Sequence, residues 1–131
     1  MKNEMVENAL SFHKPDRLMD NQLLVFDLPE IIAKIKEETT WKMGKRNAIT
    51  LLKSAYMRII LIALHEETEL NFQQSGNLIS AQIIEGKVIF QSMILKKGSL
   101  LTLHQGLKHT LSAVKESVIL LTFAISPVAQ V

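Results

Sequence analysis

The sequence predicts an all-β domain, a sandwich or barrel of short strands, with one short helix near its N-terminus packed outside. Three observations carry this. Four of the five glycines (76, 86, 98 and 106) fall between apolar runs, eight to twelve residues apart, which is the spacing of turns between short strands. One segment alone has the period of an amphipathic helix. Hydrophobic residues make up 47% of the 131 residues and charged ones 21%, a globular composition with enough chain for one core.

Residues 1–24 form an arm and 25–131 the domain. The arm mixes charges, Pro15 and scattered apolar residues without period. It reads either as a tail or as a strand that pairs with a partner subunit. It lacks the continuous apolar stretch of a secretory signal, and the chain has no cysteine, so the expected location is cytoplasmic. The longest apolar run, 59–64, is far too short to span a bilayer, and no membrane partner is expected.

The helix is expected over "DLPEIIAKIKEE", 27–38. Asp27 is placed to cap, Pro29 is tolerated in the first turn, and Glu30 stands three after Asp27 as in a capping box. Leu28, Ile31, Ile32 and Ile35 make one stripe, and Glu30 and Lys34 an i, i+4 pair. So short a helix needs a surface to lie on. From Trp41 onward the pattern is of strands and turns. "NAITLLKS" is followed by "MRIILIALHEE", whose continuous apolar centre fits a strand covered on both faces. "NLISAQIIEGKVIFQ" reads as two strands joined in a hairpin at Glu85-Gly86. Gln91 and Ser92 alone separate "KVIF" from "MILKK". "SLLTL", "HTLSA" and "SVILLTFA" complete the set.

"GSLLTLHQGLKH" holds Gly98, His104, Gly106 and His109. This resembles a motif of the cupins, small jelly-roll barrels: glycine, five residues, usually proline, one residue, glycine, two residues, histidine. His104 takes the proline place and His109 the ligand place. The other cupin motif runs His-x-His, three or four residues, glutamate, six residues, glycine. Its closing glycine fits Gly86 in "IIEGKV"; the glutamate place then holds Ile79, and the His-x-His place falls on "FQQS", 72–75. The resemblance covers roughly residues 25–124 and implies a single-domain cupin barrel that forms a homodimer. It does not imply one activity, because cupins host isomerases, dioxygenases, storage proteins and sensors.

In a metal-binding cupin the two motifs supply three histidines and a glutamate. Here only His109 survives, and Ile79 cannot ligate. A catalytic metal usually has about three protein ligands and an open position, so no metal and no other cofactor is expected; a divalent ion on a reduced ligand set around His109 is the alternative. The side-chain period of two puts Ile79, Ala81 and Ile83 on one inward, apolar face, with Leu78, Ser80, Gln82 and Ile84 facing the other way. His109, with Gln73 or Gln74, is then either the grip on a small polar ligand in an apolar cup or a satisfied structural cluster.

Other constellations read as scaffold. "HEETE", 65–69, follows a strand and is expected to be a solvated loop rather than an acid–base cluster. No nucleophile elbow or phosphate loop is visible. A net charge of +2 and few aromatics near Lys42, Lys45, Arg46 and Lys53 argue against nucleic acid, and the lysines fit a protected strand edge. The expected protein is a non-catalytic small-molecule-binding or structural barrel; a metal-dependent isomerase or dioxygenase is the rival.

Overall fold

The computed structural model describes residues 23–72, 78–103 and 109–125. Two short helices, α1 (Leu28–Ile35) and α2 (Thr39–Met43), precede nine strands: β1 (Arg46–Lys53), β2 (Met57–Leu64), β3 (Glu69–Phe72), β4 (Leu78–Glu85), β5 (Lys87–Phe90), β6 (Met93–Lys96), β7 (Leu100–Leu103), β8 (His109–Ala113) and β9 (Ser117–Ala124). The strands form two sheets, a larger one in the order β1-β2-β9-β4-β7 and a smaller one in the order β3-β8-β5-β6. Every pairing is antiparallel. β4 beside β9, and β8 between β3 and β5, are partners distant in sequence, as in a jelly roll.

Alternation along the strands sorts the apolar residues into two cores. Ile62, Leu64, Ile79, Ala81, Ile83, Ile119 and Leu121 of the larger sheet meet Phe72, Val88, Phe90, Leu111 and Ala113 of the smaller one between the sheets. The odd-numbered face of β2, with Leu61 and Ala63, joins Ile49, Leu51 and Val118 under the helices. This is why the centre of β2 is continuously apolar: both its faces are covered. Ile79, Ala81 and Ile83 lie inward as expected, each at most 4% exposed. Opposite them Ile84 packs toward the helices, while Leu78 is half exposed.

α1 is stapled to the larger sheet by its stripe. Asp27 caps it, accepting from the Glu30 N–H at 3.1 Å, and Ile31, Ile32 and Ile35 are buried. It ends at Ile35, shorter than the expected 27–38, because buried Asn47 donates to the Ile35 carbonyl at 2.8 Å and to Glu38 at 2.7 Å, pinning the chain as it leaves the helix. The expectation of a single helix and of strands from Trp41 is also corrected. Trp41 lies in α2, a helix of barely more than one turn that carries no helical period for a sequence to display, and it fills the second core from there.

The Glu85-Gly86 hairpin is a second correction. β4 and β5 belong to different sheets, and Gly86 is the corner between them. Its φ of +94° is a conformation that favours glycine, and a Cβ there would collide with the Ser117 hydroxyl and the Glu116 carbonyl. The hydroxyl of Ser117, fully buried, accepts from the Lys87 N–H at 3.0 Å and donates to the Lys115 carbonyl at 2.7 Å. The two-residue hairpin sits instead at Gln91 and Ser92, between β5 and β6, with φ of 50° and 70°. Positive φ at both turn residues matches the twist of the flanking strands.

Candidate ligand-binding site

The two sheets have two ends: one, whose turns lie wholly within the described residues, is the closed end, and the other is the mouth. At the closed end the chain turns from β2 to β3, from β4 to β5 and from β8 to β9. At the other end β3 stops at Phe72 and β4 starts at Leu78, while β7 stops at Leu103 and β8 starts at His109. The termini of these strands, together with the start of β2 and the end of β9, form the mouth of the cup.

On the smaller sheet, His109 is in register with Phe72 on the face that carries Leu111. Its ring lies 5.2 Å from that of Phe90, which in turn meets Phe72 edge-on at 6.4 Å. Phe90 thus packs against the imidazole and is itself braced by Phe72. Nδ1 of His109 is 2.7 Å from Nε2 of Gln91, the first residue of the two-residue turn. The amide and the imidazole are joined by a hydrogen bond whose direction follows the ring's tautomer, and the bond orients the ring from the turn between β5 and β6.

On the larger sheet, one row crosses the mouth. Arg58 is opposite Phe123, Phe123 opposite Ile79, and Ile79 opposite Leu103. Ile79, Leu103 and Phe123 all belong to the core between the sheets, so the register turns Arg58 to the same face. Its Nε is buried and has no hydrogen-bond partner. The glutamate place of the metal motif is therefore a buried isoleucine in a row whose polar member is a cation. Among the described residues no three His, Cys, Asp or Glu side chains come together.

Gln73, Gln74 and His104 lie outside the described residues; the partner seen for His109 is Gln91, which sequence reasoning used only as a turn residue. Arg58 was missed as well. Its signal was present, since Arg58, Ile60, Ile62 and Leu64 share one face at period two, but a run read as continuously apolar hides that alternation. "HEETE" divides. Glu66, Glu67 and Glu69 are exposed, whereas His65, expected in a solvated loop, stacks on Trp41 with ring centres 3.5 Å apart and its Nε2 lies 2.8 Å from the Trp41 carbonyl oxygen. Trp41 is thereby buried. Arg46 and Lys53 flank the edge strand β1 as exposed charges.

No protein-family model matches the chain, and no curated protein matches it in sequence. Its structure is similar to that of KdgF from Halomonas sp., with a TM-score of 0.56 over 66% of this chain and 84% of that one, at 10% identity. An RmlC-like cupin from Shewanella frigidimarina gives 0.56 over 67% and 83%, at 14% identity. The cupin domain of Cnp3 from Schizosaccharomyces pombe gives 0.57 over 65% and 68%, also at 14%. The chain has the cupin fold. Identities this low carry the fold and nothing of the chemistry. In this chain the described strand ends combine one imidazole, one guanidinium and an apolar row. No helix among the described residues is long and apolar enough to cross a membrane.

Proposed function

We propose that this cupin is a non-catalytic small-molecule-binding barrel whose cup works without a resident metal. The observation that carries the reading is the row Arg58, Phe123, Ile79, Leu103 across the mouth. An isoleucine stands where a metal-binding relative would place a carboxylate, and Arg58, two strands away in the same row, would repel a divalent ion. An apolar cup with a few convergent polar groups is the usual composition of a small-ligand site. We further propose a cytoplasmic homodimer. Leu78 and Leu100, exposed at opposite ends of the outer face of β4 and β7, support the dimer.

Metal analysis of the full chain, purified without chelator, tests the reading. Well below one equivalent of iron, manganese, nickel or zinc is expected, with no change in His109→Ala. Stoichiometric metal that disappears in His109→Ala would overturn it in favour of the metal-dependent enzyme.

A further inference from the structure

We infer that Arg58 and His109 form a carboxylate-binding pair at the mouth of the cup, selecting a small organic carboxylate with an apolar body. The inference rests on the ligand-binding reading above and names the chemical class of that ligand.

The first support is the state of Arg58. A buried guanidinium Nε without a partner is rare in a folded chain, because a desolvated charged donor is costly unless something accepts from it. Nothing in the fold requires a cation at this place. The next residues of the same face are Ile60, Ile62 and Leu64, and an apolar side chain would continue the series. A guanidinium is planar and carries paired N–H donors that match the two oxygens of a carboxylate.

The second support is the distribution of charge. Every carboxylate among the described residues lies on the helical segment 27–38 outside the larger sheet or at the closed end, in the link 65–69 and at 85 and 116. The mouth carries Arg58, Lys53 across from it on β1, and His109. No described acid is therefore placed to neutralise the guanidinium. A ligand would meet the guanidinium, the exposed Lys53 ammonium across from it, the imidazole and a row of isoleucine, leucine and phenylalanine. A carboxylate with an apolar body fits this combination, its body lying along Ile79, Leu103 and Phe123.

The test is a set of amide-resolved NMR titrations of the full 131-residue chain with acetate, hexanoate and benzoate, with acetamide, hexanamide and benzamide, and with inorganic phosphate. Arg58→Met, Arg58→Lys and His109→Gln are compared with the parent. At least one carboxylate is expected to shift the amides of Phe72, Ile79, Leu103 and Phe123 saturably. Its amide counterpart should bind about ten- to a hundredfold more weakly, the scale of a charged hydrogen bond. Arg58→Met should reduce the carboxylate to the level of the amide without changing amide binding. Arg58→Lys should retain part of the preference and His109→Gln should weaken it by a smaller factor. Equal binding of carboxylate and amide, or a preference unchanged in Arg58→Met, overturns the inference and leaves the ligand-binding reading standing. Phosphate binding more tightly than every carboxylate overturns the carboxylate assignment. Silence toward all probes overturns both readings.

Discussion

The two ends of the cup are built on opposite principles. Among the described residues, no buried side-chain donor or acceptor at the closed end is without a partner. The Lys36 ammonium reaches Glu116 at 2.7 Å and Glu85 at 3.3 Å, binding α1 to two turns of the barrel. Ser117 ties β5 to the start of β9, and Asn47 ties β1 to the end of α1. At the mouth, a guanidinium nitrogen is buried unpaired, and a two-residue turn of non-glycine residues holds positive φ on both positions while Gln91 reaches His109. A fold that satisfies polar groups so completely at one end has no general reason to leave one bare at the other. The difference supports the proposal that the closed end serves stability and the mouth binding.

The comparison can be broken at several points, the largest first. Phe90→Ala removes the ring that packs both Phe72 and His109, and should cost about 3–5 kcal/mol by chemical denaturation. A loss below about 1 kcal/mol would mean that the mouth is loosely packed throughout. Gly86→Ala forces a Cβ into the Ser117 corner at positive φ and should cost about 3 kcal/mol. A neutral outcome would remove the corner from the stability argument. Asn47→Ala leaves the Ile35 carbonyl and Glu38 without their donor and should cost about 2 kcal/mol, with early protease cleavage between α1 and β1.

Lys36 adds a pH signature. Burial of its side chain pulls the ammonium's pKa down, but the hydrogen bond to Glu116 and the fields of Glu85 and Glu116 outweigh this, so the pKa lies above the ordinary lysine value. A raised folded-state pKa means the contribution is complete below the ordinary value and is lost as pH climbs through the raised one. The stability difference between the parent and Lys36→Met should therefore be constant near neutrality and shrink only in strongly alkaline solution. The smallest effect has the opposite sign. Arg58→Met removes an unpaired buried donor while keeping an apolar stem, and should raise stability by about 1 kcal/mol. A clear loss instead would mark Arg58 as part of the scaffold.

Much of this arrangement could be read from the chain and some could not. The α1 stripe, the apolar face Ile79–Ala81–Ile83 and the Gln91-Ser92 hairpin are local patterns, set by residues a few positions apart, and each lies where its period or turn chemistry placed it. The Gly86 turn failed as a hairpin because a glycine reports a backbone conformation, not which strand the chain joins next. His109 was legible through its place in a motif. Its partner Gln91 was not, because the bond joins residues eighteen apart in sequence through the pairing of β5 with β8.

The sequence by itself determined which residues are apolar at which period, where the chain turns, and that a carboxylate is missing at position 79. Those facts depend on neighbouring residues alone. Only the tertiary structure decided that Arg58 shares the mouth with His109, that the described carboxylates stand away from it, and that one end of the cup is closed by ion pairs. Such facts depend on strand order and register, which bring residues fifty positions apart to one end of the fold and leave a buried charge with or without a partner there.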